Sequence, residues 1–349
     1  MRVARIGGDE FVILSVGGTL SEATIASELD GLQGKVWQCG DQQQTLSLSI
    51  GSAKFPEHAT QIDQLHQNAD LGLYNAKRLG RSRYVRYDPL QRVLHDLQVE
   101  FGNDVDAALD RGEFWLHFQP IADLATGIVC GHEAQLRWDH PRYGVMLPDR
   151  FAGVLEADKL GLRIQDHVLD LALAWLGEQR DPIGTLGVNF TAAQLVGPQV
   201  AKHVLDRLLH YDVRPSSLCI EVSESALLDR SSDAIMENLQ ILHEAGVRIA
   251  LDSFGTGFTS LAHRRRMPVD CIKIDSSLVA GIDQGGGRSH LLVRAIIGLA
   301  DGLGKILIAD GVENHAQAQR LKDLGCQLGQ GLLFDRCAPV PEQAEAEAA

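Results

Sequence analysis

Between residues 113 and 339, short apolar strands alternate with longer amphipathic stretches, and strand after strand ends on a polar or charged side chain. Strand patterns fall at Phe114–Phe118, Val129–Arg137, Leu186–Phe190, Leu218–Val222, Arg248–Asp252, Cys271–Ile274, Lys305–Ala309 and, more briefly, near Leu328–Leu332. Helical spacing fills most of the intervals, at Ile164–Glu178, Pro198–His210, Ser232–Ala245, His290–Leu303 and His315–Leu324. A repeated β-then-α order predicts a parallel sheet. Eight strands in roughly 230 residues suit a (β/α)8-type, TIM-like barrel.

The chemistry concentrates where those strands finish. Glu133 falls in the second strand, Asn189 follows Leu186-Gly187-Val188, and Glu221 follows Leu218-Cys219-Ile220. Asp252 closes Ile249-Ala250-Leu251, Lys273 follows Cys271-Ile272, and Asp310 follows the strand ending at Ala309. Any single one of these reads equally well as a cap for the next helix. On successive strands of a barrel, however, such residues converge on one face, where active sites are built. Crowded carboxylates raise one another's pKa unless a cation neutralises them. All-oxygen donors with several carboxylates favour Mg²⁺ or Mn²⁺ over zinc.

The 349 residues divide into two units. Residues 1–88 form a smaller α/β unit, 89–112 a linker helix carrying Leu90, Val93, Leu94 and Leu97, 113–340 the barrel, and 341–349 a solvated, disordered tail. In the first unit, strands Val3–Ile6 and Phe11–Val16 flank the turn Gly7-Gly8-Asp9-Glu10. Ser21 is placed to cap a helix Ser21–Leu32, Thr45–Ala53 alternates as a strand, and Ile62, Leu65, Ala69, Leu73 and Ala76 stripe a helix Ile62–Leu79 stopped by Gly80. A chain that opens inside an apolar strand predicts that sequence belonging before it is absent. Lys and Arg total 32 and Asp and Glu 46, a net charge of 32 − 46 = −14. With no basic tract, that balance argues against a nucleic-acid partner. No signal peptide or membrane segment is visible, and Cys39, Cys130, Cys219, Cys271, Cys326 and Cys337 form no CxxC pair, so a cytoplasmic, reducing location is expected.

The residues then carry a family resemblance. Glu133-Ala134-Gln135-Leu136-Arg137-Trp138 resembles the EAL signature Glu-Ala-Leu-Leu-Arg-Trp. The resemblance continues in order through Gln119-Pro120-Ile121, Val188-Asn189-Phe190-Thr191, Glu221-Val222-Ser223-Glu224, Asp252-Ser253-Phe254-Gly255-Thr256-Gly257-Phe258, Lys273-Ile274-Asp275, Asp310-Gly311-Val312-Glu313 and Gly329-Gln330-Gly331. The first unit resembles the second half of a GGDEF domain, through Gly7-Gly8-Asp9-Glu10-Phe11, Ser49-Ile50-Gly51 and Ala69-Asp70-Leu71-Gly72-Leu73-Tyr74-Asn75-Ala76-Lys77. The resemblance implies an EAL barrel preceded by a partial GGDEF domain, acting in cyclic di-GMP signalling. GGDEF domains make this ligand from GTP, and EAL domains linearise it to pGpG with Mg²⁺ or Mn²⁺.

Carried over residue by residue, the metal shell falls on Glu133, Asn189, Glu221 and Asp252. Lys273 positions water and phosphate, Glu224 steadies the loop after Asp252, and Asp310 and Glu313 are further catalytic-site matches. Gln119, Arg137 and Gln330 fall on ligand-side positions. Two departures stand out. Ser253 replaces a carboxylate of Asp-Asp-Phe-Gly that holds a second metal, and a neutral hydroxyl is a weaker ligand for a hard dication. Asp310 replaces a glutamate, a candidate general base, and is shorter by roughly 1.5 Å. Gln135, in place of the signature leucine, is expected to be a packing change. These readings predict one strong metal site, a weakened second, and a barrel that binds cyclic di-GMP with impaired hydrolysis. A working phosphodiesterase and a non-catalytic module that forms a homodimer through the barrel are the alternatives. With so little sequence before Gly7, no cyclase activity is expected from Gly7, Gly8, Asp9 and Glu10. The run His263-Arg264-Arg265-Arg266 reads as a solvated loop or a phosphate or partner contact, and Gly285-Gly286-Gly287 as a flexible loop.

Overall fold

The computed structural model describes residues 2–16, 21–32, 35–39, 42–45, 47–78, 82–156, 158–179, 184–227, 232–255, 268–282 and 287–335. The basic run 263–266, Thr256-Gly257-Phe258, Gly80, Gly285-Gly286 and the tail beyond 341 lie outside these residues. The chain separates into two compact units, Met1–Glu100 and Phe101–Ala349.

In the first unit, β1 (Arg2–Gly7) and β2 (Glu10–Leu14) form an antiparallel hairpin closed by Gly8 at φ 49°. Helix α1 (Glu22–Leu32) starts as expected, with Ser21 Oγ accepting the Thr24 N–H at 3.1 Å. The expected strand Thr45–Ala53 is instead divided. β3 (Val36–Cys39) pairs with β4 (Gln42–Thr45) as one hairpin, while β5 (Ile50–Ser52) runs parallel to β6 (Tyr84–Arg86). Helix α2 (Ile62–Arg78) lies between β5 and β6 in sequence, the crossover that a parallel pair requires. Its contact explains Gly51, because a Cβ there would sit 1.9 Å from the Leu73 backbone nitrogen. Ala76 is buried, but Ile62, at the open first turn, is 66% exposed. Helix α3 (Pro89–Arg111) follows, and the division between the units falls within its span.

In the second unit, eight strands close a ring. They are β7 (Phe114–Asp123), β8 (Val129–His140), β10 (Thr185–Phe190), β11 (Leu218–Ser223), β12 (Arg248–Phe254), β13 (Cys271–Ile274), β14 (Ile306–Ala309) and β15 (Leu328–Gln330), with the short β9 (Gly144–Met146) added to β8. The ring closes because β10 pairs with both β8 and β11. The all-parallel expectation needs one correction: β7 runs antiparallel to both neighbours, β8 and β15. The cause is local. Asp123 Oδ1 accepts the backbone N–H groups of Ala125 and Thr126, Gly127 turns at φ 72°, and the chain re-enters as β8 within five residues. A tight turn of that length can join only antiparallel strands. Helices at Asp158–Glu178, Val200–His210, Ser232–Glu244, Arg288–Leu303 and His315–Asp323 separate the parallel strands, close to their expected bounds.

The β7–β8 pair buries Phe114 and Trp138 on its outer face, against Phe151. Inside the ring, Ile121, Cys219, Ala250, Cys271 and Ile308 form an apolar layer, joined by Cys130 and Leu328. Side chains two apart on a strand share a face, so this layer dictates what stands above it. Among the described residues, no helix is long and apolar enough to cross a membrane.

Candidate functional site

Two positions beyond the apolar layer, five strands present a polar group to the same end of the ring. Cys219 is followed at that spacing by Glu221, Ala250 by Asp252, Cys271 by Lys273, Ile308 by Asp310, and Leu328 by Gln330. On antiparallel β7 the order reverses, so Gln119 precedes Ile121 and lies opposite Glu133 of β8. Strand periodicity alone therefore gathers the cluster.

At its centre is Lys273, 1% exposed. Its Nζ donates to Glu133 Oε2 at 2.7 Å and Glu221 Oε2 at 2.6 Å, and Asp252 Oδ1 lies 3.8 Å away. Glu133 also accepts from Asn189 Nδ2 at 2.7 Å and from Gln330 Nε2. The two glutamates consequently titrate apart. Burial favours the neutral form of each, but around Glu133 the Lys273 charge and three donors outweigh it and hold the carboxyl below its ordinary value. Glu221 has the same ammonium but feels Glu133 and Asp252 as like charges, and burial pushes it up to about 8. Burial likewise raises Asp310 to about 6, against the pull of Lys273. Lys273 itself is held well above its ordinary value, because the surrounding carboxylates overcome the cost of its burial.

Four carboxylates around one ammonium leave negative charge uncompensated. Together with the Asn189 amide they make an all-oxygen donor set that fits a hard dication such as Mg²⁺ or Mn²⁺ better than a soft metal. Among the described residues, no three His, Cys, Asp or Glu side chains are grouped to hold an ion as they stand. The Lys273 ammonium lies between Glu133 and Glu221 and draws both onto itself.

Ser253 occupies a bulge. Leu251 pairs with Ile272 and Phe254 with Ile274, so Asp252 and Ser253 together face the single residue Lys273. Ser253 adopts φ 54° and its Oγ donates to Asp252 Oδ2 at 3.3 Å. The bulge thus puts two consecutive side chains on one side of the strand, which regular alternation forbids. Glu224, 5% exposed, accepts the Gly255 N–H at 3.4 Å just beyond the bulge. Asp310 Oδ1 accepts the N–H of its own neighbour Gly311 at 2.8 Å. Glu313 is not brought in: its carboxylate is exposed, and among the described residues no bond joins it to the cluster. Gly7, Gly8, Asp9 and Glu10 belong to the first unit, where Glu10 meets Lys77 at 3.2 Å on an exposed surface.

Two residues escaped the sequence reading. Gln135 is not apolar packing. It joins Arg137 and Gln119 by hydrogen bonds at 2.9 and 2.5 Å. Gly187 makes room for the site, since a Cβ there would stand 2.0 Å from Glu221 Oε1. A glycine inside a buried strand was the available signal. Because Lys273 pins Glu221, the carboxylate cannot simply swing aside. Gly187→Ala is expected to lower stability by about 1–3 kcal/mol, the range for overpacking a core. Urea denaturation checks this, and a second change, Glu221→Ala, should remove most of the added loss by removing the clash.

Comparison with known proteins agrees with this architecture. Residues 102–337 match the EAL domain model, and residues 2–83 match that of the diguanylate cyclase, GGDEF domain. The chain is 34% identical over 346 residues to the bifunctional diguanylate cyclase/cyclic di-GMP phosphodiesterase MucR of Pseudomonas aeruginosa, covering 97% of this chain and 50% of that protein. It is 33% identical over 348 residues to the cyclic di-GMP phosphodiesterase NbdA of the same species, covering 97% of this chain and 43% of that one. The chain therefore spans about half or less of these relatives. Among solved structures it is similar to the PaMucR phosphodiesterase in its c-di-GMP complex, with TM-score 0.64 and 33% identity over 70% of this chain and 99% of that one. It is also similar to the EAL enzyme Bd1971 with cAMP and cyclic-di-GMP bound, with TM-score 0.67 and 27% identity over 82% of this chain and 76% of that one.

Proposed function

The chain belongs to the EAL domain family, and from that membership we propose that its barrel binds cyclic di-GMP at the strand ends while hydrolysing it weakly or not at all. The observation that carries this reading is Ser253, a neutral hydroxyl in the bulge beside Asp252. Glu133, Asn189, Glu221 and Asp252 would hold one Mg²⁺ or Mn²⁺. Such an ion supplies polarisation of a phosphoryl oxygen and a water of lowered pKa. The remaining work belongs to the chain's own residues. Lys273 keeps Glu133 ionised and oriented, Glu224 fixes the backbone after the bulge, and Arg137 and Gln119 face the anionic ligand. Ser253 offers a weak ligand where a second cation would need a carboxylate. Asp310, bonded back onto Gly311, falls short as a base for the attacking water.

A second reading, a slow phosphodiesterase, is favoured by the convergence of Glu133, Glu221 and Asp252 on Lys273. One experiment separates the two. Purified protein is incubated with cyclic di-GMP and Mn²⁺, and binding and pGpG release are followed together. Binding without product, weakened by Arg137→Ala, is the expected result. Product that disappears in Glu133→Ala would establish the enzyme instead, and absence of binding at any metal concentration would sink both.

A further inference from the structure

The β7–β8 pair has two faces. Phe114, Leu116, Ala134, Leu136 and Trp138 are buried on one, and Gln119, Glu133, Gln135 and Arg137 share the other, above the ring. On that second face the polar side chains are linked without a break. Arg137 Nη2 donates to Gln135 Oε1 at 2.9 Å, and Gln135 Nε2 donates to Gln119 Oε1 at 2.5 Å. Gln330 Nε2 donates to the same Gln119 oxygen at 2.7 Å and to Glu133 Oε2. The polarity of this chain is fixed from both ends. A guanidinium only donates, so Gln135 must turn its oxygen to Arg137 and its amide nitrogen to Gln119. An ionised carboxylate only accepts, so Gln330 must turn its nitrogen to Glu133. The leucine of the EAL signature provides neither bond.

We propose that Gln135 is a positioning residue: it holds the Arg137 guanidinium above the ring and ties its placement to Glu133. A long cationic side chain loses rotamer freedom when it grips an anion, and prior ordering removes part of that loss. The proposal rests on the reading that the barrel binds a cyclic dinucleotide through Arg137.

The test is a double-mutant cycle with cyclic di-GMP and Mn²⁺ as the probe. Gln135→Leu is expected to weaken binding on the order of tenfold, the scale of one hydrogen bond to a charged group. Gln135→Leu added to Arg137→Ala is expected to weaken it no further, because the glutamine acts through the arginine. Gln135→Glu keeps an acceptor for Arg137 but loses the donor to Gln119, so it should bind less tightly than wild type and more tightly than Gln135→Leu. A packing role would reverse that order, leaving leucine harmless and glutamate damaging, and so would overturn the proposal, as would additive effects of Gln135→Leu and Arg137→Ala. A ligand-free arm keeps the outcome separate from the functional reading. The guanidinium ¹⁵N signals of Arg137, assigned by their loss in Arg137→Lys, should be less ordered in Gln135→Leu than in the wild type, with the Nη1 bond to the Leu136 carbonyl at 2.9 Å retained in both. If no cyclic di-GMP binds yet those signals change, positioning stands and the functional reading falls. If it binds and neither signals nor affinity change, positioning falls alone.

Discussion

Replacing Lys273 by methionine is expected to destabilise the barrel unit by about 3–5 kcal/mol, the cost of leaving buried charges without their partner. The ammonium is 1% exposed and sits 2.7 Å from Glu133 and 2.6 Å from Glu221. Methionine fills similar space but supplies no charge and no donor, so two carboxylates would face each other across an apolar gap. For a unit of this size the loss corresponds to a fall in Tm of about 6–20 °C. Trp115, Trp138 and Trp175 lie in this unit, so tryptophan fluorescence in EDTA follows its unfolding. Adding Glu221→Gln should recover part of the loss, because it removes the acid that burial, Glu133 and Asp252 push up to about 8 and leaves Glu133 no like-charged neighbour there. A Tm within roughly 2 °C of wild type for the single variant would show that the carboxylates do not depend on this cation.

The same arrangement explains how far the sequence could be read. Strand positions were legible because buried β/α strands are short apolar runs bounded by helical spacing. The cluster was legible because period two places Glu221 above Cys219, Asp252 above Ala250 and Lys273 above Cys271. The direction of β7 was misjudged from the β/α rhythm alone. The decisive signal was the compact turn Asp123–Gly127, where Asp123 Oδ1 accepts from Ala125 and Thr126 and reverses the chain locally. Gln135 was misjudged for a different reason. Measured against a signature, it is a leucine lost; its worth comes from Gln119, 16 residues earlier on another strand. Side-chain partners across strands depend on register, and register is not written in a local motif.

Ser253→Asp combined with Asp310→Glu is expected to raise cyclic di-GMP turnover by at least about 10²-fold over wild type. The bulge already has the right backbone for the first change. Ser253 sits at φ 54°, a region where aspartate is among the better-tolerated side chains. Its Oγ already points at Asp252, so a carboxylate placed there would share a cation with it. In metal-free protein the added charge should instead repel Asp252 and lower Tm, and Mn²⁺ should restore it. That reversal separates a new metal ligand from a merely altered surface. The second change returns about 1.5 Å of reach to a side chain now bonded to its own neighbour Gly311. Misplacing a reacting group by about 1 Å costs on the order of 10²-fold, and this gap sets the size of the expected gain. The gain should vanish in a Glu133→Ala background, since both changes act only around the cluster that Glu133 anchors. Turnover that stays flat, with the double variant folded and cyclic di-GMP still bound, would place the defect elsewhere than in the serine and the shortened acid. Turnover already high in the wild type would show that one carboxylate at the bulge suffices.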